Sequence, residues 1–175
     1  MNRKNIMYLA IALLGILAIW YFSSRGKENK VEDSSAFDQT PELARLSALI
    51  DQNPNNDTLL YRRARVYYNE EAYDEALKDL NKVVSLNGKN WRALSERGLA
   101  HLRLNNLDNA ESDLTRSLEL VPNNVDALLR RSVVFARANK VSAALHDYEQ
   151  ARTIDGAASN LEWARAQLRA CKLLK

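Results

Sequence analysis

Cysteine is almost missing from this 175-residue chain: Cys171 stands alone. No disulfide can form within it, and the thiol is expected to be inert, on the apolar side of a last helix with Leu161, Ala164 and Leu168. Five glycines and three prolines exclude collagen-like and low-complexity classes. There are two histidines, and His101 and His146 lie at unrelated positions. There is no Gly-rich phosphate loop, no His-Glu-x-x-His or Cys-x-x-Cys spacing, and no serine in an elbow motif. No catalytic residue, cofactor, metal or small-molecule substrate is therefore expected, and the chain does not read as an enzyme. A surplus of one charge sign is missing too. The net charge is +3, and residues 34–175 hold 20 basic against 19 acidic side chains, too little bias for a nucleic-acid binder.

Long apolar runs are absent with one exception, Ile6 to Phe22, bracketed by Arg3, Lys4, Arg25 and Lys27. As a helix it would span about 25 Å, the lower limit for crossing a bilayer. Trp20, Tyr21 and Phe22 at its end suit the lipid–water boundary. A cleaved signal peptide, cut after Gly26, is the rival reading, but bulky aromatics crowd the site where small residues are wanted. The expected organisation is a short tail (1–5), a transmembrane signal anchor (6–22) and a flexible linker (23–39) rich in Ser, Lys, Glu, Asp and Asn. The very short N-terminal tail favours a bacterial inner (plasma) membrane with the remainder periplasmic. The alternative, suggested by Arg25, Lys27 and Lys30, is an organelle outer membrane with the remainder cytosolic.

What the chain does have is itself, three times over. A shift of 34 residues superposes Asn56, Asn90 and Asn124; Ala64, Gly98 and Ser132; Ala76, Ala110 and Ala144; and Leu86, Leu120 and Ile154. The asparagines are expected to cap a first helix of each unit, and Asp74, Asp108 and Ser142 a second. Gly88, Pro122 and Gly156 close the units, and the small residues mark where two helices approach. Thr40-Pro41-Glu42 opens an extra helix ahead of the repeats, with Leu43, Leu46, Leu49 and Ile50 as its apolar stripe. Ser159–Lys175 is expected to form an amphipathic helix that covers the end of the stack. Arg63, Arg97 and Arg131 recur in register, each sixteen residues before Asp79, Asp113 and Asp147. Facing each other within a hairpin, they are expected to form one structural ion pair per unit.

The small eighth residue, the alanine twelve positions later and the closing Pro122 resemble the tetratricopeptide repeat. The resemblance covers Asp57 to Ala158 and departs at Trp91, which opens its unit, and at His101, which replaces an aromatic. It implies an all-α fold: three helical hairpins (57–90, 91–124, 125–158) in a right-handed solenoid. A half-repeat helix (40–56) precedes them and a capping helix (159–175) follows.

The resemblance also implies a concave face lined by the first helices, whose partner-binding residues would be Tyr61, Arg62, Arg65, Tyr68, Arg92, Leu99, Arg103, Leu129, Arg130, Val133 and Arg137. Asn69, Ser95, Glu96, Leu102 and Asp126 are placed beside them. Six arginines against two acids make this face basic, suited to an acidic or mixed acidic–apolar segment of a protein partner. The expected function is a membrane-tethered interaction scaffold that binds without catalysing; self-association of the stack is the third reading. Chaperone-binding members hold a terminal carboxylate with a Lys/Asn/Asn/Lys/Arg clamp. The matching positions here are Tyr61, Arg65, Glu96, Asp126 and Arg130, and only Arg130 agrees, so that role is not expected.

Overall fold

In a computed structural model, residues 40–174 are described. The expected tail, anchor and linker (1–39) lie outside them. Among the described residues no helix is long and apolar enough to cross a membrane.

Among the described residues eight helices follow one another: α1 (Pro41–Gln52), α2 (Asp57–Asn69), α3 (Tyr73–Leu86), α4 (Trp91–Arg103), α5 (Leu107–Leu120), α6 (Val125–Arg137), α7 (Val141–Ile154) and α8 (Leu161–Ala170). Helices α2/α3, α4/α5 and α6/α7 pair as hairpins, and each hairpin stacks on the helix before it. The caps of the first helices follow the asparagine register. Asn56, Asn90 and Asn124 accept the backbone N–H of Leu59, Ala93 and Ala127 at 3.1, 3.1 and 2.9 Å, as Thr40 does for Leu43 at 3.3 Å.

The second helices start differently from expectation. Asp74, Asp108 and Ser142 lie inside α3, α5 and α7, one residue past the start, and the residues ahead of those helices make no side-chain cap bond. The turn between the two helices serves the first of them. Glu71, Asn105 and Asn139 take left-handed conformations near φ 60°. That turn lets the N–H of Ala72, Asn106 and Lys140 bond back to Tyr67, His101 and Phe135 carbonyls at 2.9, 2.8 and 2.8 Å, satisfying the end of the first helix. Asp74 and Asp108 remain favourable where they are, near the positive end of the helix dipole.

Close approach within each hairpin rests on small residues. Ala76, Ala110 and Ala144 are fully buried, as are Ala64 and Ser132 to within 1%, and Gly98 lies against Ala110. At Gly98 a Cβ would come within 2.8 Å of Leu114 Cγ and 3.3 Å of the Ala110 carbonyl oxygen. Leu114 Cγ is a branch point and cannot swing aside. Gly98→Ala should therefore destabilise by about 1 kcal/mol, because overpacking of about 1–3 kcal/mol outweighs the roughly 1 kcal/mol of helix propensity gained. A urea denaturation curve would read it; a stabilised variant would mean that α4 and α5 move apart freely.

The paired arginines and aspartates meet in every hairpin. Arg63 holds Asp79 with two parallel N–H···O bonds of 2.7 and 2.8 Å, Arg97 holds Asp113 at 2.7 and 2.6 Å, and Arg131 holds Asp147 at 2.6 and 3.0 Å. The third nitrogen of each guanidinium donates to the helix of the preceding unit, to Ser47, Asn81 and Thr115 at 3.1, 3.0 and 3.3 Å. These three acceptors are themselves 34 residues apart. Each arginine thus joins three helices, fixing the register between units as well as within them.

Tyr67 and Phe135 lie beneath the Arg63 and Arg131 guanidiniums, 5.8 and 5.4 Å from ring centre to charge. The equivalent position in the middle unit is His101. Burial lowers its pKa, and the Arg97 charge lowers it further against an opposing pull from Asp113. The imidazole is held neutral, so it fills an aromatic position without placing a second cation beside Arg97.

Candidate partner-binding groove

Helices α2, α4 and α6 present successive turns to one face, and hydrogen bonds one repeat apart connect them. Arg103 Nε donates to the Tyr68 hydroxyl at 2.8 Å. Arg130 donates to Ser95 Oγ at 2.9 Å and forms an ion pair with Glu96 at 3.0 Å. Arg137 donates to the Leu102 carbonyl at 3.3 Å and to Gln167 Oε1 at 3.0 Å. Three of the six arginines expected on the basic face are therefore occupied within the fold. Arg62, Arg65 and Arg92 are exposed and form no ion pair among the described residues. Arg92 stacks on Trp91 at 4.4 Å. The free positive charge is concentrated on α2 and the start of α4.

Leu129 and Val133 correct the expectation of an open groove along all three units. Both are fully buried, and Leu102 and Leu99 nearly so. The reason is α8, which packs chiefly on α6 and only lightly on α7. It does not simply close the end of the stack. Leu161, Ala164 and Leu168 form one core with Leu99, Leu129 and Val133, while Asn160 donates to Asp126 at 2.8 Å and Gln167 receives Arg137. Helix α8 lies over the part of the face that α6 would otherwise have offered. Cys171, expected on its buried side, is half-buried just past its last turn.

Two adjoining cavities remain, with Arg130 on the border of both. One, of about 170 Å³, is polar: Tyr61, Trp91, Arg92, Ser95, Glu96, Asn124, Asp126 and Arg130 enclose it. Burial raises the pKa of Tyr61, Glu96 adds to the rise, and Arg65, Arg130 and Arg92 oppose it. Its hydroxyl is thus a neutral donor beside three guanidiniums. The other, of about 220 Å³, lies between Tyr68 and Trp163 over Leu99. Burial likewise raises the Tyr68 pKa, with the Arg103 bond pulling the other way. Sequence reading missed Trp163 and Asn160 as groove residues. Their helix reads as a lid for the stack end, and no periodicity within α8 reports where it docks. No group of side chains among the described residues is arranged to hold a metal ion.

Family models described as tetratricopeptide repeat match residues 58–90 and residues 95–160. The chain belongs to the tetratricopeptide repeat family. Such repeats form protein–protein interaction modules, and solved structures share the fold. The Arabidopsis OM64 TPR domain superposes with a TM-score of 0.60 at 23% identity, covering 65% of this chain and 94% of that one. A MamA crystal structure gives 0.66 at 20%, covering 82% and 81%. The first TPR of Spaghetti (RPAP3), bound to the HSP90 peptide SRMEEVD, gives 0.60 at 24%, covering 66% and 90%. No curated protein matches the chain.

Proposed function

We propose that this tetratricopeptide repeat domain binds an acidic or mixed acidic–apolar segment of a protein partner on its concave face, from a tether formed by Ile6–Phe22. The observation that carries this reading is the trio of unpaired, exposed arginines, Arg62, Arg65 and Arg92, beside Tyr61 and Trp91 on a domain that is otherwise nearly neutral. A guanidinium fork suits carboxylates, and the aromatics supply contact area at low entropic cost. Acidic peptides such as SRMEEVD on a neighbour of the same fold support it. The ligand would not be held as in a chaperone clamp, because Glu96 already engages Arg130, the one clamp position that agrees.

The tether raises the local concentration of the domain, so weak groove contacts suffice. The membrane proposed is a bacterial inner membrane with the domain on its periplasmic side; Arg25, Lys27 and Lys30, which follow the apolar segment, favour the cytosolic face of an organelle instead. Protease protection of sealed vesicles separates the two.

Crosslinked pull-down with the full-length chain tests the groove. Reversing Arg62, Arg65 and Arg92 together to Glu should weaken capture of the partner at least about tenfold. Capture by the wild type should also fall with added salt. Circular dichroism should be unchanged, since all three side chains are exposed. Equal capture by both proteins would move the binding surface elsewhere.

A further inference from the structure

We propose that the cavity between Tyr68 and Trp163 is an anchor pocket for one large aliphatic or aromatic side chain of that acidic segment, so that the C-terminal helix sets partner specificity. The proposal rests on the groove reading above.

The cavity's walls come from two places far apart in sequence, Tyr68 on α2 and Trp163 on α8, with Leu99 of α4 between them and Arg103, Arg130 and Asn160 around it. Tyr68, Arg130 and Asn160 are each held from outside the cavity. The Tyr68 hydroxyl accepts from Arg103, and its ring packs against Tyr73 with centroids 5.2 Å apart. Arg130 is fixed by Ser95 and Glu96, and Asn160 by Asp126. Arg130 is thus engaged outside the cavity, by Ser95 and Glu96, Arg103 bonds the hydroxyl edge of the Tyr68 wall, and two aromatic rings and a leucine provide the apolar surface. At about 220 Å³, it is smaller than the roughly 300–1,000 Å³ that takes a drug-sized ligand, and of a size for a single side chain. A pre-formed, aromatic-walled pocket of this kind gives an anchor residue much of its binding energy, because little is lost in ordering it.

The neighbouring cavity is unlike it. Glu96, Asp126, Asn124 and Arg92 make it polar. Arg92 lines the polar cavity, and Arg65 lies close enough to its Tyr61 to act on the hydroxyl. A segment lying there would set its carboxylates against Arg62, Arg65 and Arg92 and one apolar residue between Tyr68 and Trp163.

The experiment uses the full-length chain and fluorescently labelled synthetic acidic peptides that differ at one central residue, Ala, Leu or Trp, with anisotropy as the readout. Wild type should bind the Leu peptide at least about tenfold more tightly than the Ala peptide, the gain from burying a large apolar side chain. In Trp163→Ala the Leu-over-Ala preference should shrink and the Trp peptide should gain on the Leu peptide, since a wall has been removed. A misfolded variant cannot produce that exchange of size preference, and Trp163→Phe should restore the wild-type order. Arg65→Glu should weaken all three peptides alike and leave their ratios unchanged.

Acidic peptides that bind with no preference at the central residue, or with one that Trp163→Ala leaves intact, would overturn the pocket and leave the groove standing. Failure of every acidic peptide to bind wild type would overturn the groove reading and the pocket with it. A dimer in sedimentation that Trp163→Ala disperses would assign the cavity to a second copy of the chain and overturn the peptide assignment.

Discussion

Replacing Arg131 with Met should lower the unfolding free energy by about 3–5 kcal/mol, the largest loss expected from any single surface-reaching side chain in this domain. Asp147 is 1% exposed. Without its partner the carboxylate keeps its burial and loses both short N–H···O bonds. Thr115 also loses its donor, which loosens the hold of the third hairpin on the second. Methionine preserves most of the packing of the arginine stem, so the loss reports the charge.

The reverse substitution, Asp147→Leu, should cost less. The stranded Arg131 side chain retains 19% exposure and can turn its guanidinium toward water. Changing both residues together, Arg131→Met with Asp147→Leu, should return to within about 1–2 kcal/mol of wild type, because a buried ion pair adds little over a well-packed apolar pair. Urea melts with a constant slope would establish the order. Equal losses for both single changes would show that the pair is more hydrated than its burial indicates.

Leu168→Asp should release α8 from the concave face while the three hairpins remain folded. Leu168 is fully buried in the core shared with Leu129 and Val133. The change gives up about 2–3 kcal/mol of apolar burial and asks a carboxylate to enter the same site unpaired, at a cost of several kcal/mol more. A terminal helix of ten residues, without a side-chain cap bond at its start, cannot offset that and is marginal by itself. The loss is therefore expected to be local. Helical signal should drop by the equivalent of those ten residues, and amides of Leu161–Ala170 should exchange rapidly while those of α2–α5 stay protected. Leu129 and Val133, newly uncovered, should bind an apolar dye or draw two molecules together. Protection persisting in α8 would show that its other contacts suffice to hold it.

Both predictions concern residues whose importance was visible at different levels. The Arg–Asp pairs recur at 34 residues, and a spacing of sixteen carries a side chain from one helix of a hairpin to its neighbour. Ser47, Asn81 and Thr115 recur at the same interval, but their differing chemistry concealed them: three different polar residues accept the same kind of bond. The starts of α3, α5 and α7 were misplaced by two residues. Aspartate and serine suggested caps, whereas a left-handed turn at Glu71, Asn105 and Asn139 had already satisfied the preceding helix.

The sequence by itself determined the repeats, the hairpins, the small residues between helices and the partners of three arginines. All of these follow from interactions within one 34-residue unit or between adjacent units, where chain spacing dictates geometry. Only the tertiary structure decided which arginines are free, that Leu129 and Val133 are covered, and that Trp163 faces Tyr68. Those outcomes depend on where α8 comes to rest. It has an apolar stripe that would fit either the end of the stack or the face of α6, and nothing in its own spacing selects between them. The choice is made by complementary surfaces, Leu129 and Val133 below it and Asp126 and Arg137 at its two ends.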